Sequence, residues 1–220
     1  MIRRAPSAGV LLLAIGAACV PMWWIYGTVQ LVLAIAVSLL VGAAIGTLGA
    51  ARRWSALSML LMAIAALAAL AVPLTAPQRI GRGEWVPALA DAAAAVVLSW
   101  RRLLTIGLPV GTSDALLMAP ILLVLLGSMV GVWVALRSRS AETAALVPAG
   151  IAIWSILWGP LAMPEPWLSA LVVLVPIAGY VTVVRQARRR SRAPRALSSL
   201  ARRFGSGLAV ALVALVAAGA

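Results

Sequence analysis

Runs of about twenty apolar residues recur along this chain, separated by arginines, and they constrain it more than any motif does. A helix needs about 20 mostly apolar residues to cross a hydrocarbon core about 30 Å thick. Six such runs are complete: residues 8–26, 28–50, 54–75, 115–136, 143–160 and 167–184. None carries Asp, Glu, Lys, Arg or His in its interior. A seventh run starts near Phe204 and is still apolar at Ala220, so it reads as a span cut short in a protein that continues. Of the 220 residues, 64% are hydrophobic and 10% charged, against about 45–50% and about 25% in soluble domains. A water-soluble globule and a disordered chain are both excluded. The expected fold is all-α: a polytopic transmembrane helical bundle of six complete spans and a truncated seventh.

The basic residues set the orientation. All 18 are Arg. Crossing at each run puts Arg3, Arg4, Arg52, Arg53, Arg137, Arg139 and the eight arginines of residues 185–203 on one side. Arg79, Arg82, Arg101 and Arg102 fall on the other, beside Glu84, Asp91, Asp114 and Glu165. Arg-rich loops stay in the cytoplasm, so the N-terminus is expected inside a plasma membrane and the seventh span heads outward. Trp23, Trp24 and Tyr26 on the outer side, Trp158 and Trp167 around the outer turn, and Trp54, Trp133 and Phe204 near the inner ends suit a headgroup-level belt. Trp154 reads better as a core aromatic. The divisions are 1–75 (three spans), 76–114 (extracytoplasmic), 115–184 (three spans), 185–204 (Arg-rich cytoplasmic loop) and 205–220 (start of the seventh span).

The outer segment predicts an amphipathic helix near 87–104. Pro87 suits a first turn, Asp91 the N-terminal half and Arg101 and Arg102 the C-terminal end of the helix dipole. Gly107 and Pro109 stop the helix. Leu89, Val96, Trp100 and Leu103 share one face at helical spacing, and Trp100, Arg101 and Arg102 form a candidate outer interfacial anchor. A short span over 86–100 is the alternative. It would bury Asp91 and send the eight-Arg segment outside, which decides for a surface or re-entrant helix.

Much chemistry is absent from the composition. With no His and one cysteine, Cys19, neither a protein-built zinc site nor a Ser-His-Asp or Cys-His catalytic set can form within this chain. No cofactor is expected. The first run continues apolar past Cys19, so a retained helix is expected rather than a cleaved signal. Spans without ionisable groups argue against a proton- or cation-coupled transporter. Pro120, Pro148 and Pro176 fall within runs four, five and six and are expected to kink them. Gly42/Gly46 and Gly127/Gly131 match the close-packing GxxxG pattern, whether within the bundle or between copies.

Arg185, Arg188, Arg189, Arg190, Arg192, Arg195, Arg202 and Arg203 carry no acid among them. They are candidate contacts for anionic headgroups at the cytoplasmic face of the bilayer, at about 1 kcal/mol each, or for a cytoplasmic partner. Nucleic acid is not expected, because no stacking platform or folded basic domain accompanies them.

Residues 91–139 resemble the N-terminal membrane region of actinobacterial transglutaminase-like proteins of the TgpA type. The likeness rests on Trp100-Arg101-Arg102, then Leu103-Leu104-Thr105 and Leu108-Pro109. A Leu-rich helix follows, ending Ala-Leu-Arg-Ser-Arg at 135–139, and the next helix carries a mid-helix Pro148. The layout is similar over the whole chain; the detail covers about fifty residues. The resemblance implies an extracytoplasmic catalytic domain with a Cys-His-Asp set beyond residue 220, a MoxR-type ATPase and a von Willebrand-like neighbour as partners. No catalytic residue of that set maps onto this chain, and Cys19 does not match the family nucleophile. The expected role is therefore a membrane anchor for a larger cell-envelope protein. A small transporter or permease component, and a stand-alone interaction protein, are the alternatives.

Overall fold

The structure is a computed structural model that describes residues 5–103, 114–138, 141–158 and 166–192. All regular structure among them is helical. The first helix, α1 (Ala5–Ala18), runs into a 3₁₀ turn (Val20–Met22) and then α2 (Trp23–Tyr26). Pro21 causes the break, since it has no N–H to donate. The Met22 N–H bonds to the Cys19 carbonyl at 3.0 Å, one residue short of an α-helical partner. Gly27, at a φ of 62°, then ends α2 in the left-handed region.

Next come α3 (Val29–Arg52) and α4 (Ala56–Thr75). Their turn is tight. Arg53 takes a φ of 53°, the Trp54 N–H closes on the Gly49 carbonyl at 3.0 Å, and the Ser55 hydroxyl caps α4 by accepting from Ser58 N–H at 3.2 Å. These are the usual ways of satisfying groups that helix ends leave open.

After α4 the chain forms α5 (Pro77–Gly81), α6 (Trp85–Leu103), a 3₁₀ turn (Asp114–Leu117) and α7 (Met118–Arg137). A second 3₁₀ stretch (Ala141–Ala145) leads into α8 (Leu146–Leu157), and α9 (Pro166–Arg192) follows. Five helical stretches are long and apolar enough to cross a membrane: Ser7–Tyr26, Val29–Arg52, Ala56–Thr75, Met118–Arg137 and Trp167–Ala187. The chain is a multi-pass helical membrane protein. The expected run at 143–160 differs. Its start winds as 3₁₀ helix and only 12 residues are α-helical, so it falls short of the others in length.

The prolines also differ from expectation. Pro120 and Pro148 lie in the first turns of α7 and α8, each just after a 3₁₀ stretch, so the missing N–H falls where the winding changes. They mark helix starts in place of interior kinks. Pro176 is interior to α9, as expected, and Pro73 is interior to α4 near its end.

Helix α7 is the centre. Gly42 and Gly46 of α3 sit against it so closely that a Cβ on Gly42 would strike the Ser128 hydroxyl and the Leu125 carbonyl oxygen, and one on Gly46 would lie 2.5 Å from the Met129 carbonyl oxygen. On its other side, Gly127 faces Ile151 of α8, and Gly131 faces Leu11 and Ile15 of α1. Both glycine pairs are thus used inside the bundle. Lipid tails are as apolar as Leu, so close approach of this kind, not hydrophobicity, holds membrane helices together.

Side-chain hydrogen bonds tie off the carbonyls that breaks leave open, which no water would satisfy in a bilayer core. Ser155 of α8 shares its one hydroxyl proton between the Ile151 carbonyl of its own helix at 2.8 Å and, at 3.1 Å, the Ala18 carbonyl that Pro21 stranded. Gln30 donates to Leu74 at 3.1 Å, Tyr26 to Leu116 at 3.1 Å, and Tyr180 to Ala141 at 2.6 Å.

These contacts fix direction. From Gly42 to Gly46 the α7 neighbours advance from Leu125 to Val132, so α3 and α7 run parallel. Tyr26 meets Leu116 while Leu11 meets Gly131, so α1 runs antiparallel to α7. A parallel α3 and α7 with α4 returning between them requires that residues 76–117 start and finish at the same end. The outer segment therefore makes no net crossing.

The described residues up to Val184 form one compact unit, and a second begins at Arg185. Of that second unit, residues 185–192 are described, as the last turns of α9.

Candidate functional site

At the α4–α7 end where Tyr26, Gln30 and Leu74 meet, α5 and α6 cover the bundle. Pro77 and Pro87 each sit in a helix first turn, so the chain re-enters helix twice within a few residues of leaving α4. Along α6, Ala88, Ala92, Ala95 and Ser99 are buried at helical spacing. This small-residue stripe lets α6 settle on Ala71 of α4 and Met118 of α7. The larger apolar side chains turn outward: Trp85, Val86, Leu89, Val97 and Leu98 are all exposed. The amphipathic helix predicted near 87–104 is thus present as α6. The face against the bundle is the alanine stripe; of the residues expected to share one apolar face, Leu89 is exposed and Val96 half-buried. Placed where α4 leaves the membrane, the outward apolar residues suit the interface of a bilayer.

Because the stripe is made of alanines, α6 leaves room beside it. A cleft of about 320 Å³ opens between α4, α5 and α6, walled by Ala88, Ala92, Ala94, Ala95 and Met118 and floored by Thr75 and Ala76. On its lip Arg79 Nη1 donates to Asp91 Oδ2 at 2.6 Å. The two side chains are 38% and 69% exposed, so the pair contributes at most about 1 kcal/mol. A second, apolar groove of about 220 Å³ lies between the outer half of α4 and the first turn of α6, lined by Ala68, Ala69, Val72, Trp85 and Leu89 among others.

The opposite end is cationic. Arg137 donates to the Trp54 carbonyl at 3.4 Å and its guanidinium lies 5.4 Å from the centre of the Trp133 ring. Arg52 and Arg53 are exposed beside it on the α3–α4 turn. Arg52, Arg53 and Arg137 therefore share one end, with Arg79 and Arg82 at the other, as the sequence grouping requires. Arg3, Arg4 and Arg139 lie outside the described residues.

Trp100, Arg101 and Arg102 fall in the last turn of α6; their side chains lie outside the described part. Arg185 is exposed on α9, and Arg188, Arg189, Arg190 and Arg192 continue that helix. Arg195, Arg202, Arg203 and the seventh run lie outside the described residues. Of the expected belt, Trp23 and Trp24 are exposed at about 40%, but Tyr26 is buried and holds Leu116. Trp154 is a core aromatic, tilted against Trp158 at 6.0 Å. Cys19 is buried and donates to the Ile15 carbonyl at 3.2 Å. Among the described residues no group of three or more His, Cys, Asp or Glu could hold a metal ion. The cleft was missed by sequence reading. Its one signal was the pairing of Arg79 with Asp91 across an alanine-rich helix.

Compared with known proteins, the chain matches no protein-family model, no curated protein and no solved structure.

Proposed function

We propose that this chain is the membrane anchor of a larger cell-envelope protein of the transglutaminase-like type, with its catalytic domain carried outside the cell beyond residue 220. The observation that carries the reading is how the bundle spends its polar groups. Tyr26, Gln30, Ser155 and Tyr180 each reach a backbone carbonyl on another helix or turn, and the six complete apolar runs hold no Asp, Glu, Lys, Arg or His for a cargo to use. Such a bundle is built to stay assembled and to hold something in place. The likeness of residues 91–139 to the TgpA-type membrane region supplies the identity of what is held.

On this reading the membrane is the plasma membrane, the N-terminus and the Arg52–Arg137 end are cytoplasmic, and α6 lies on the outer surface. The arginines of residues 185–203 face anionic headgroups and a MoxR-type ATPase. Reading the coding DNA past the Ala220 codon tests the proposal. It predicts an open frame with a Cys, then a His, then an Asp in a soluble stretch. A stop codon within a few residues removes the enzyme and leaves a small membrane protein.

A further inference from the structure

We propose that the cleft beside Arg79 and Asp91 binds the headgroup of a zwitterionic phospholipid of the phosphoethanolamine class. The inference is independent of the anchor reading and rests on three observations. The cleft floor is Thr75 and Ala76, the last residues before and after the end of α4, so it lies at headgroup depth. Its about 320 Å³ is of small-ligand size, and its alanine walls leave that space open. Its lip carries one charge of each sign, 2.6 Å apart and both substantially exposed.

An exposed ion pair opens at little cost. A ligand with both charges can then enter between the partners, its phosphate on Arg79 and its ammonium on Asp91, leaving no charge unpaired. A ligand with only a phosphate would strand Asp91 beside it, so the pair selects against anionic lipid as well as for the zwitterion. The large apolar side chains that α6 turns outward, Trp85, Val86, Leu89, Val97 and Leu98, suit an interfacial position for the helix, where a lipid bound at the cleft keeps its acyl chains in the bilayer.

Native mass spectrometry of the full chain, released from detergent with equimolar phosphatidylethanolamine and phosphatidylglycerol, tests this. Wild type should retain the ethanolamine lipid at least about fivefold over the glycerol lipid, roughly 1 kcal/mol by RT ln K. Asp91→Asn should reverse the preference, and Arg79→Gln should lose both lipids. Ala94→Leu, which fills the cleft from an exposed wall position and leaves the packed stripe alone, should weaken retention. The swapped pair Arg79→Asp with Asp91→Arg should keep the ethanolamine preference, which separates charge recognition from loss of fold. Equal retention of both lipids by wild type overturns the proposal. So does an unchanged preference in Asp91→Asn, or loss of binding in the swapped pair. Free O-phosphoethanolamine has the charges without a chain; if it displaces the lipid at equal concentration, the site is for a soluble ligand and the lipid assignment falls.

Discussion

Gly42 shows how little room α3 leaves itself against α7. Its missing side chain is replaced by the Ser128 hydroxyl and the Leu125 backbone. Backbone cannot swing aside as a rotamer can, so Gly42→Ala should cost at least about 3 kcal/mol, the upper end for an overpacked core. Gly150 meets nothing within 4 Å, and Gly150→Ala should leave stability unchanged or slightly raised. Thermal unfolding in detergent compares the two; equal midpoints would contradict the packing described. The GxxxG spacing of Gly42 and Gly46 was legible in the sequence, but its partner was not. Spacing shows that a helix can approach closely, and it does not say which helix. Tyr26 makes a similar point. As a residue type it suited the membrane surface, yet its hydroxyl was needed to close the carbonyl of Leu116 in the turn that opens α7, a demand that only the assembled helices create.

At the scale of elements, breaks and faces decide. The Ser155 bond to Ala18 exists because Pro21 removes a donor and the next amide turns to Cys19. Ser155→Ala should therefore cost about 0.5–1.5 kcal/mol. In a Pro21→Ala background, where the helix can close on itself, the same change should cost close to nothing. A double-mutant cycle of unfolding free energies reads the difference, and equal costs would show that Ser155 acts otherwise. For α6 the test is its seating. Ala92→Leu, 6% exposed and against Ala71 and Met118, should lower the unfolding midpoint, while Ala93→Leu, exposed one position on, should not. Reversed results would put the other face inward. The existence and start of α6 were legible from Pro87 and Asp91. Its packed face was not, because a face of Leu, Val and Trp suits a bilayer interface, and only the assembled helices show that alanines make the protein contact. Pro120 and Pro148 misled for a related reason: an apolar run hides where inside it a helix begins.

Over the whole molecule, alternation of charge and apolar length carried most of the fold. Arg52, Arg53 and Arg137 lie at one end and Arg79 and Arg82 at the other because only even crossing counts separate like-charged loops. The parallel course of α3 and α7 reaches the same arrangement from packing alone. The length of the fifth run was not legible, since the 3₁₀ winding of Ala141–Ala145 leaves no mark in hydropathy. The cleft beside Arg79 arises from the seating of α6 and depends on contacts between segments that a linear reading keeps apart.

The central claim is that the end of α4 and the start of α7 lie at the same membrane surface, with α5 and α6 beside them, between two parallel crossings. Single cysteines in a Cys19→Ala background, at Arg52, Gly83 and Ser138, labelled in intact cells with a membrane-impermeant maleimide, test it most directly. The account predicts labelling at Gly83 alone, with Arg52 and Ser138 reacting only after permeabilisation. Labelling at both Gly83 and Arg52 would break the α3–α4 arrangement, and labelling at Ser138 with Arg52 protected would mean that α6 crosses the bilayer.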